Sequence, residues 1–206
     1  MKKYLLLIAF LSVSQFFYAE KTTNNESDSD VTSNVSQAFQ VDFYAGANSQ
    51  ACKEYAIEGI WKKNLKNNWY FNTGLSLTLD DSPKYLKKGH QRDMFEIGVP
   101  LQIEYGKLNF YKSSFYGLFG FMPAFYTTLK AKNWNDIDYH RVNGYMKSGL
   151  ILSPSLEIGG NIPLSSVLIR IGGFWNYKIN CTPGRYNVYR HEAGLSFVGL
   201  KAGVIF

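Results

Sequence analysis

The segment GLSFVGLKAGVIF, residues 194–206, ends the sequence in an alternating apolar pattern that runs without a turn signal into an aromatic residue. Its larger apolar side chains share one parity and would lie on one face of a strand: Val198, Leu200, Ala202, Val204 and Phe206. The final residues of a soluble domain usually fray into solvent. The closing strand of a membrane β-barrel instead has to pair with the first strand. The segment therefore predicts a β-barrel that closes through its C-terminal strand.

The first residues have the three parts of a secretory signal peptide. Met1-Lys2-Lys3 is basic, Tyr4 to Phe17 is mostly apolar, and Phe17-Tyr18-Ala19 precedes a plausible cleavage site. The apolar run is shorter than the roughly 20 residues that a transmembrane helix needs. We therefore predict a signal peptide over residues 1–19.

Residues 20–38 (EKTTNNESDSDVTSNVSQA) contain almost no apolar side chains. Such a segment buries too little apolar surface to offset the entropy lost on ordering. We expect it to be a disordered periplasmic leader. From Phe39 onward the sequence alternates between apolar and polar residues, so residues 39–206 are predicted to form one barrel domain.

Two segments show this alternation most clearly. In Phe95–Tyr105 and Trp69–Leu79, one parity is apolar with aromatic ends, and the other parity is polar or charged. A soluble sandwich has a solvent-facing polar side, whereas we interpret the polar parity here as the lumen of a barrel. Repeating this reading predicts an all-β, eight-stranded antiparallel up-and-down transmembrane barrel with strands at 39–47, 52–63, 69–79, 94–105, 113–129, 145–159, 166–178 and 193–206.

The predicted connections alternate in length, as outer-membrane barrels require. Short turns are expected at 65–68, 106–111 and 160–164, and longer polar loops at 80–93, 130–141 and 179–192. Because eight is an even number, both termini are predicted to be periplasmic and the long loops external. Prolines remove a ladder hydrogen bond, so Pro100, Pro123 and Pro154 are expected at bulges or locally opened pairs.

Composition and charge support this class and narrow the partners. The chain has 15 Tyr, 15 Phe, 4 Trp and 18 Gly with only 18% charged residues, which suits aromatic girdles and many turns. Residues 39–206 carry 19 basic and 12 acidic side chains, but the basic ones form no cluster or nucleic-acid motif. Nucleic acid is therefore not predicted as a partner. Attraction to lipopolysaccharide or surface glycan and a merely solvated basic surface both remain open.

The segment FEIGVPLQIEY, residues 95–105, is followed by a short turn and the strand YGLFG, residues 116–120. These stretches resemble the outer-membrane β-barrel domain of Bacteroidota, the group that includes PorT-like proteins and small barrels of the OmpA and OmpX type. The resemblance covers about residues 39–206, and the extra Gly98 departs from the usual run. It implies fold, outer-membrane location, membrane lipid as surroundings and assembly through a C-terminal strand that ends in Phe206. It implies no catalytic residues and no cofactor.

An eight-stranded barrel has a lumen narrow enough to be filled by side chains. Charged residues of both signs fall on the lumen parity and are predicted to pair as a plug: Asp42, Glu54, Glu58, Lys62, Glu96, Glu104, Lys147, Glu157, Arg170 and Lys201. A hairpin near Pro163 would bring Glu157 opposite Arg170, and barrel closure would bring Asp42 near Lys201. The alternative is a proton or ion path, which is less favoured in so small a barrel.

Cys52 and Cys181 are the two cysteines of the chain, and both fall near the external rim of the predicted topology. Their loops would be neighbours because the last strand closes against the first. An oxidising envelope then predicts a Cys52–Cys181 disulfide, with two reduced thiols as the alternative.

The histidines do not form a recognisable site. His90, His140 and His191 lie in predicted external loops near acidic residues, but their spacing is not that of a zinc motif. A lipid A-modifying enzyme would need a histidine and a serine within hydrogen-bond reach, and Ser196 falls on the wrong parity for His191. The sequence thus favours a non-enzymatic structural or surface-binding barrel whose external ligand is unidentified. A lipid A-modifying enzyme and a narrow solute channel are the alternatives.

Overall fold

The computed structural model describes residues 35–49, 52–81, 91–132, 148–181 and 195–206. This part of the chain forms nine β-strands in one antiparallel sheet: β1 Gln37–Ala47, β2 Lys53–Lys66, β3 Trp69–Asp81, β4 Gln91–Gly98, β5 Leu101–Gly106, β6 Ser114–Lys132, β7 Ser148–Leu164, β8 Val167–Asn180 and β9 Leu195–Ile205. The predicted signal peptide, residues 1–19, lies outside the described residues. Across those ranges there is no helix long and apolar enough to cross a membrane.

The sheet closes on itself through its first and last strands. Residues of β1 and β9 pair in register from Gln40 with Ile205 to Ala47 with Val198. Phe206 continues the pairing, because its N–H donates to the Phe39 carbonyl at 2.8 Å and its carbonyl accepts from the Phe39 N–H at 3.3 Å. The other strands pair with their neighbours in sequence, except that β4 and β5 each pair with β3 and β6 and not with each other. The prediction of an antiparallel up-and-down barrel is confirmed.

The fourth wall strand of this eight-stranded barrel is divided in two at Pro100. Both β4 and β5 pair with β3 on one side and β6 on the other. Between them, Val99 and Pro100 lie opposite Met122 and Pro123, so two prolines share one break in the ladder. The Val99 N–H donates to the Pro123 carbonyl at 3.0 Å. This hydrogen bond joins the fourth wall strand to β6 at the point where the two prolines have no N–H to donate.

Pro154 is the third proline that was predicted to lie at a bulge or a locally opened pair of strands. Pairing of β7 with β8 stops after Leu152 and resumes at Ser155, so the ladder is open at Pro154. On its other side Pro154 remains in register with Phe121 of β6. Pro154 has no N–H to donate, and the ladder is open on the β8 side of the strand but not on the β6 side.

Two of the tight turns differ from the predicted segments. Asn67 and Asn68 connect β2 to β3 with φ values of 47° and 68°, as a two-residue hairpin with positive φ at both central residues requires. β7 continues to Leu164 rather than ending at residue 159, so its hairpin turns at residues 165–166, where Ser165 has φ 56°. These turns and the 107–113 connection lie at one end of the barrel. The described strand ends next to residues 82–90, 133–147 and 182–194 lie at the other end, and those three segments lie outside the described residues.

The boundary between leader and barrel lies earlier than predicted. β1 begins at Gln37, and Ala38 is buried in an apolar cluster against which Val35 packs. The Ser36 carbonyl accepts a hydrogen bond from the Asn64 N–H at 2.9 Å. The last residues of the predicted leader are therefore part of the barrel, because their backbone extends the β1–β2 ladder.

Candidate functional site in the barrel lumen

The strands alternate between a buried and an exposed face, and the buried face lines a lumen filled with charged side chains. Nine of the ten predicted lumen residues are described, and all nine are at most 4% exposed: Asp42, Glu54, Glu58, Lys62, Glu96, Glu104, Glu157, Arg170 and Lys201. Lys147 lies outside the described residues. The period-2 alternation of the strands places these side chains on one face.

Seven of the nine form a network that we call the Arg170 cluster: Asp42, Glu58, Lys62, Glu104, Glu157, Arg170 and Lys201. At its centre, the Arg170 guanidinium donates two hydrogen bonds to Glu104, one to each carboxylate oxygen, at 3.0 and 3.1 Å. Lys62 forms a further ion pair with Glu104, and the Asn72 amide donates to the same carboxylate at 2.8 Å. Glu104 is thus satisfied from three directions.

Lys201 holds the other side of the Arg170 cluster. Its Nζ lies 2.7 Å from Glu58, 3.1 Å from Glu157 and 3.2 Å from Asp42. Glu157 also lies 3.3 Å from Arg170 Nε, so this carboxylate joins the two cations. Because each buried charge has an opposite charge beside it, the desolvation of these groups is largely offset.

The register of the β7–β8 hairpin differs from the one predicted for Glu157. Glu157 lies opposite Phe174, and Arg170 lies opposite Asn161. The hairpin turns two residues after Pro163, which shifts the pairing. Arg170 nevertheless reaches Glu157, four residues along β7 from its register partner Asn161, because both long side chains extend into a narrow lumen.

Tyr116 packs against the guanidinium of Arg170. The Arg170 Cζ lies 3.2 Å from the centre of the Tyr116 ring, and the Tyr116 hydroxyl donates to Glu157 Oε1 at 2.6 Å. Glycine creates the space for this ring: a Cβ placed at Gly172 would lie 2.2 Å from the Tyr116 hydroxyl, and one at Gly159 would lie 2.6 Å from it. The ring therefore combines a cation–π contact with a hydrogen bond in the same network.

A second network, the Lys178 cluster, comprises Lys178, Glu54, Asp80 and Glu96. Lys178 Nζ lies 2.6 Å from Glu54, 2.8 Å from Asp80 and 2.9 Å from Glu96. The Asn176 amide donates to Glu54 at 2.8 Å. The ammonium group thus occupies the centre of three buried carboxylates and separates their charges.

Sequence reasoning missed Lys178 and Asp80. Lys178 follows Arg170 by eight residues on the same parity of β8, but it was placed at the last position of its predicted strand. Asp80 follows Thr78 on the lumen parity of β3, but the sequence prediction places it in the loop at 80–93. Lys178 already lies on the lumen parity within the predicted strand 166–178, and extending the predicted strand 69–79 by one residue includes Asp80.

Apolar clusters lie beside the charged networks at the two ends of the lumen. Near the strand ends beside the long connections, one cap contains Cys52, Met94, Tyr126, Ile151 and Phe197. At the opposite end, the other cap contains Ala38, Tyr70, Leu108, Leu168 and Ile205. Leu108 comes from the 107–113 connection, which folds against the end of the lumen. Apolar side chains therefore pack against the charged networks near both ends of the lumen.

The predicted Cys52–Cys181 disulfide is not present in this structure, in which the two sulfur atoms are not bonded to each other. Cys52 is 6% exposed within the apolar cap. Cys181 is exposed, and its Sγ contacts the Ile179 carbonyl at 3.6 Å. The two side chains lie in different environments, one inside the barrel end and one on its surface.

The predicted absence of a histidine-based site falls mostly outside the described residues, since His90, His140 and His191 are not among them. Within the described ranges, no group of three or more His, Cys, Asp or Glu side chains is placed to hold a metal ion. Ser196 is exposed, and its hydroxyl accepts a hydrogen bond from Trp175 Nε1 at 2.6 Å.

Comparisons with known proteins identify the class of fold. No protein-family model matches the chain, and no curated protein sequence matches it. Among solved structures, Neisserial surface protein A is similar with a TM-score of 0.51 and 13% identity over 82% of this chain and 94% of that one. The N-terminal β-barrel domain of Pseudomonas aeruginosa OprF gives a TM-score of 0.42 and 11% identity over 82% and 97% of the two chains. The chain therefore has the fold of a small outer-membrane β-barrel.

Proposed function

We propose that this protein is a small outer-membrane β-barrel with a filled lumen that acts, without catalysis, as a structural or surface-binding protein through its external loops. The observation that carries the proposal is the distribution of side chains across the wall, which is the reverse of that in a soluble protein. Charged side chains are buried inside, whereas Phe43, Phe119, Ile158 and Leu200 are 54–73% exposed outside. A soluble protein rarely exposes so continuous an apolar surface. Lipid is the environment in which this arrangement is favourable.

The height of the apolar surface supports a membrane span. On β3, outward-facing apolar residues extend from Trp69 to Leu79, and the exposed Asp81 follows them. Ten residue steps of about 3.4 Å cover about 34 Å along the strand. A tilt of roughly 40° reduces this length to about 26 Å along the barrel axis. That height is close to the roughly 25 Å apolar band of outer-membrane barrels.

Aromatic residues near the two edges of this apolar band also support a membrane span. Trp69 and Tyr105 are neighbours on the wall near the tight turns, with ring centres 5.0 Å apart. Tyr55 is 47% exposed on the opposite side of the band, where it pairs in register with Leu79. Trp and Tyr rings favour the level of the lipid headgroups, where one edge of the ring is apolar and the other is polar.

The contents of the lumen favour a structural role over a solute channel. The Arg170 and Lys178 clusters fill the lumen with buried, paired charges, and apolar side chains lie beside them at both ends of the barrel. An eight-stranded barrel has room for little else. Recognition of an external ligand would then fall to the connections at 82–90, 133–147 and 182–194. During assembly, the barrel-assembly machinery would engage the C-terminal strand that ends in Phe206. Membership of the Bacteroidota, PorT-like group is part of this proposal and rests on the FEIGVPLQIEY and YGLFG segments.

Fractionation of a diderm host that expresses the full chain tests the location. We expect the protein in the outer-membrane fraction, with a strand-dominated far-UV circular dichroism spectrum and a heat-dependent shift on gels. An epitope inserted in the 133–147 connection should be cleaved by protease added to intact cells. The matched insertion in the 107–113 connection should be protected. Recovery in the soluble fraction, a helical spectrum or the reverse protease pattern would contradict the proposal.

A further inference from the structure

The lumen contains a cavity of about 40 Å³ between the two charged clusters, lined by polar side chains and by the apolar Met122, Leu156 and Phe174. Asn176 lines it and also donates to Glu54 of the Lys178 cluster. On the other side, Glu58, Glu157 and Lys201 of the Arg170 cluster line it. We call this space the central chamber. It separates two networks that share no ion pair among the described residues.

Two buried polar atoms face the central chamber with unmet hydrogen-bonding capacity. Ser153 is 2% exposed and Asn176 is 5% exposed. In the described ranges, neither Ser153 Oγ nor Asn176 Oδ1 has a hydrogen-bond partner. A buried polar atom without a partner is unfavourable, so atoms of this kind in a native protein call for a bound group.

The shape and lining of the central chamber select the bound group. A buried water molecule needs roughly 10–15 Å³ and two to four polar partners, so the space suits about three waters. Ser153, Ser155, Gln102 and Asn176 supply such partners. Apolar cavities stay dry, but one with carboxylates and amides in its wall does not. A metal cation is less favourable, because the Lys201 ammonium group lines the same space.

We propose that the central chamber is a site for about three buried water molecules that join the two charged clusters. Water accepts the Ser153 hydroxyl hydrogen and donates to Asn176 Oδ1, and it reaches Glu58 and Lys201 on the opposite wall. The lumen then contains one chain of hydrogen bonds and ion pairs from Asp80 through Lys178, Glu54, Asn176 and water to Lys201. The polar residues Glu58, Ser153, Glu157, Asn176 and Lys201 of the lining are 2–5% exposed, so this water should exchange slowly with solvent.

Two measurements on the folded, full-length mature protein test the site. A crystal structure that resolves ordered water should show about three peaks in the central chamber, each within hydrogen-bond distance of two or more lining atoms. Oxygen-17 magnetic relaxation dispersion of the protein in micelles should count the same number of long-lived waters. Ser153→Leu should fill the space and remove most of them. Ser148→Leu, an exposed position on the same strand, should leave the count unchanged.

The outcomes separate the proposal from its alternatives. An empty chamber in the wild-type crystal structure, with no long-lived water by relaxation, would overturn the proposal whether or not Ser153→Leu folds. A single peak with short metal–oxygen distances would overturn it in favour of a bound cation. Ser153→Ala provides a milder variant, which should keep the space while weakening the occupancy of the water nearest residue 153.

Discussion

Arg170 and Glu104 are joined across the lumen by two hydrogen bonds, at 3.0 and 3.1 Å, although they lie 66 positions apart in the sequence. Both side chains are completely buried. The planar guanidinium matches both carboxylate oxygens at once, which fixes orientation as well as distance. This pair therefore connects β8 with β5 through the interior of the barrel and not only through the ladder around its wall.

Replacing Glu104 with Gln should strongly destabilise the barrel. The substitution preserves shape but leaves Arg170 and Lys62 without their shared carboxylate. Removing one partner of a buried ion pair costs about 3–5 kcal/mol. Asp81→Asn is the matched control, because Asp81 is exposed, and it should change stability by no more than about 0.5 kcal/mol. Urea unfolding of both variants in lipid vesicles measures the difference; equal midpoints would show that Arg170 is not desolvated.

Lys178→Met tests the second cluster through its pH dependence. The substitution keeps the length of the side chain but leaves Glu54, Asp80 and Glu96 together without a cation. At neutral pH we expect a loss on the order of 3–5 kcal/mol. Acid protonates the carboxylates and removes their repulsion, so the difference from the wild type should narrow as the pH falls.

Unfolding midpoints of Lys178→Met at neutral and acidic pH provide this measurement. Lys53→Met serves as the control, since Lys53 is exposed at the start of β2. Its difference from the wild type should be small at both pH values. A deficit in Lys178→Met that stays constant or grows in acid would contradict the proposed carboxylate repulsion.

The sequence predicts the side of the wall on which a residue lies better than it predicts the partner of that residue. Parity depends only on the local period of two, so Glu96, Glu104 and Arg170 could be placed in the lumen before the structure was known. Partners depend on the stagger of the whole barrel, which no short segment encodes. The Glu157–Arg170 contact illustrates this. The sequence predicted the two residues to lie opposite each other, whereas they touch although neither is the register partner of the other.

Strand ends were the weakest part of the prediction, and they concealed functional residues. Lys178 and Asp80 lie where alternation gives way to polar connections, so a solvated loop and a lumen position look alike there. The predicted disulfide, which this structure does not contain, depends on the same strand ends. Sequence placed Cys52 at the external rim, but it does not reveal that the Cys52 side chain turns inward against Met94 and Phe197.

The two cysteines should differ in reactivity in the folded protein. Cys181 is exposed, whereas Cys52 is buried in the apolar cap. A membrane-impermeant maleimide should label one thiol in the folded barrel and two after denaturation without reductant. Cys181→Ser should abolish the fast labelling, and Cys52→Ser should preserve it. Intact-mass analysis reads both states, and a denatured, unreduced sample that takes up no label would restore the disulfide.

Gly74 and Gly117 form a matched pair for testing how closely the wall strands approach. A Cβ built on Gly74 would lie 1.9 Å from the Gly59 carbonyl oxygen, a backbone atom that cannot move without disturbing β2. A Cβ on Gly117 would meet nothing within 4 Å. Gly74→Ala should therefore destabilise the barrel by about 1–3 kcal/mol, as overpacking does.

Gly117→Ala should leave stability unchanged or raise it by up to about 1 kcal/mol, because alanine loses less backbone entropy in a strand. Unfolding midpoints in the same vesicles compare the two variants directly. Since both replace glycine with alanine inside a strand, the unfolded-state effect is shared, and their difference isolates the native contact with Gly59. Equal stabilities would mean that β2 and β3 are farther apart at Gly74 than the structure places them.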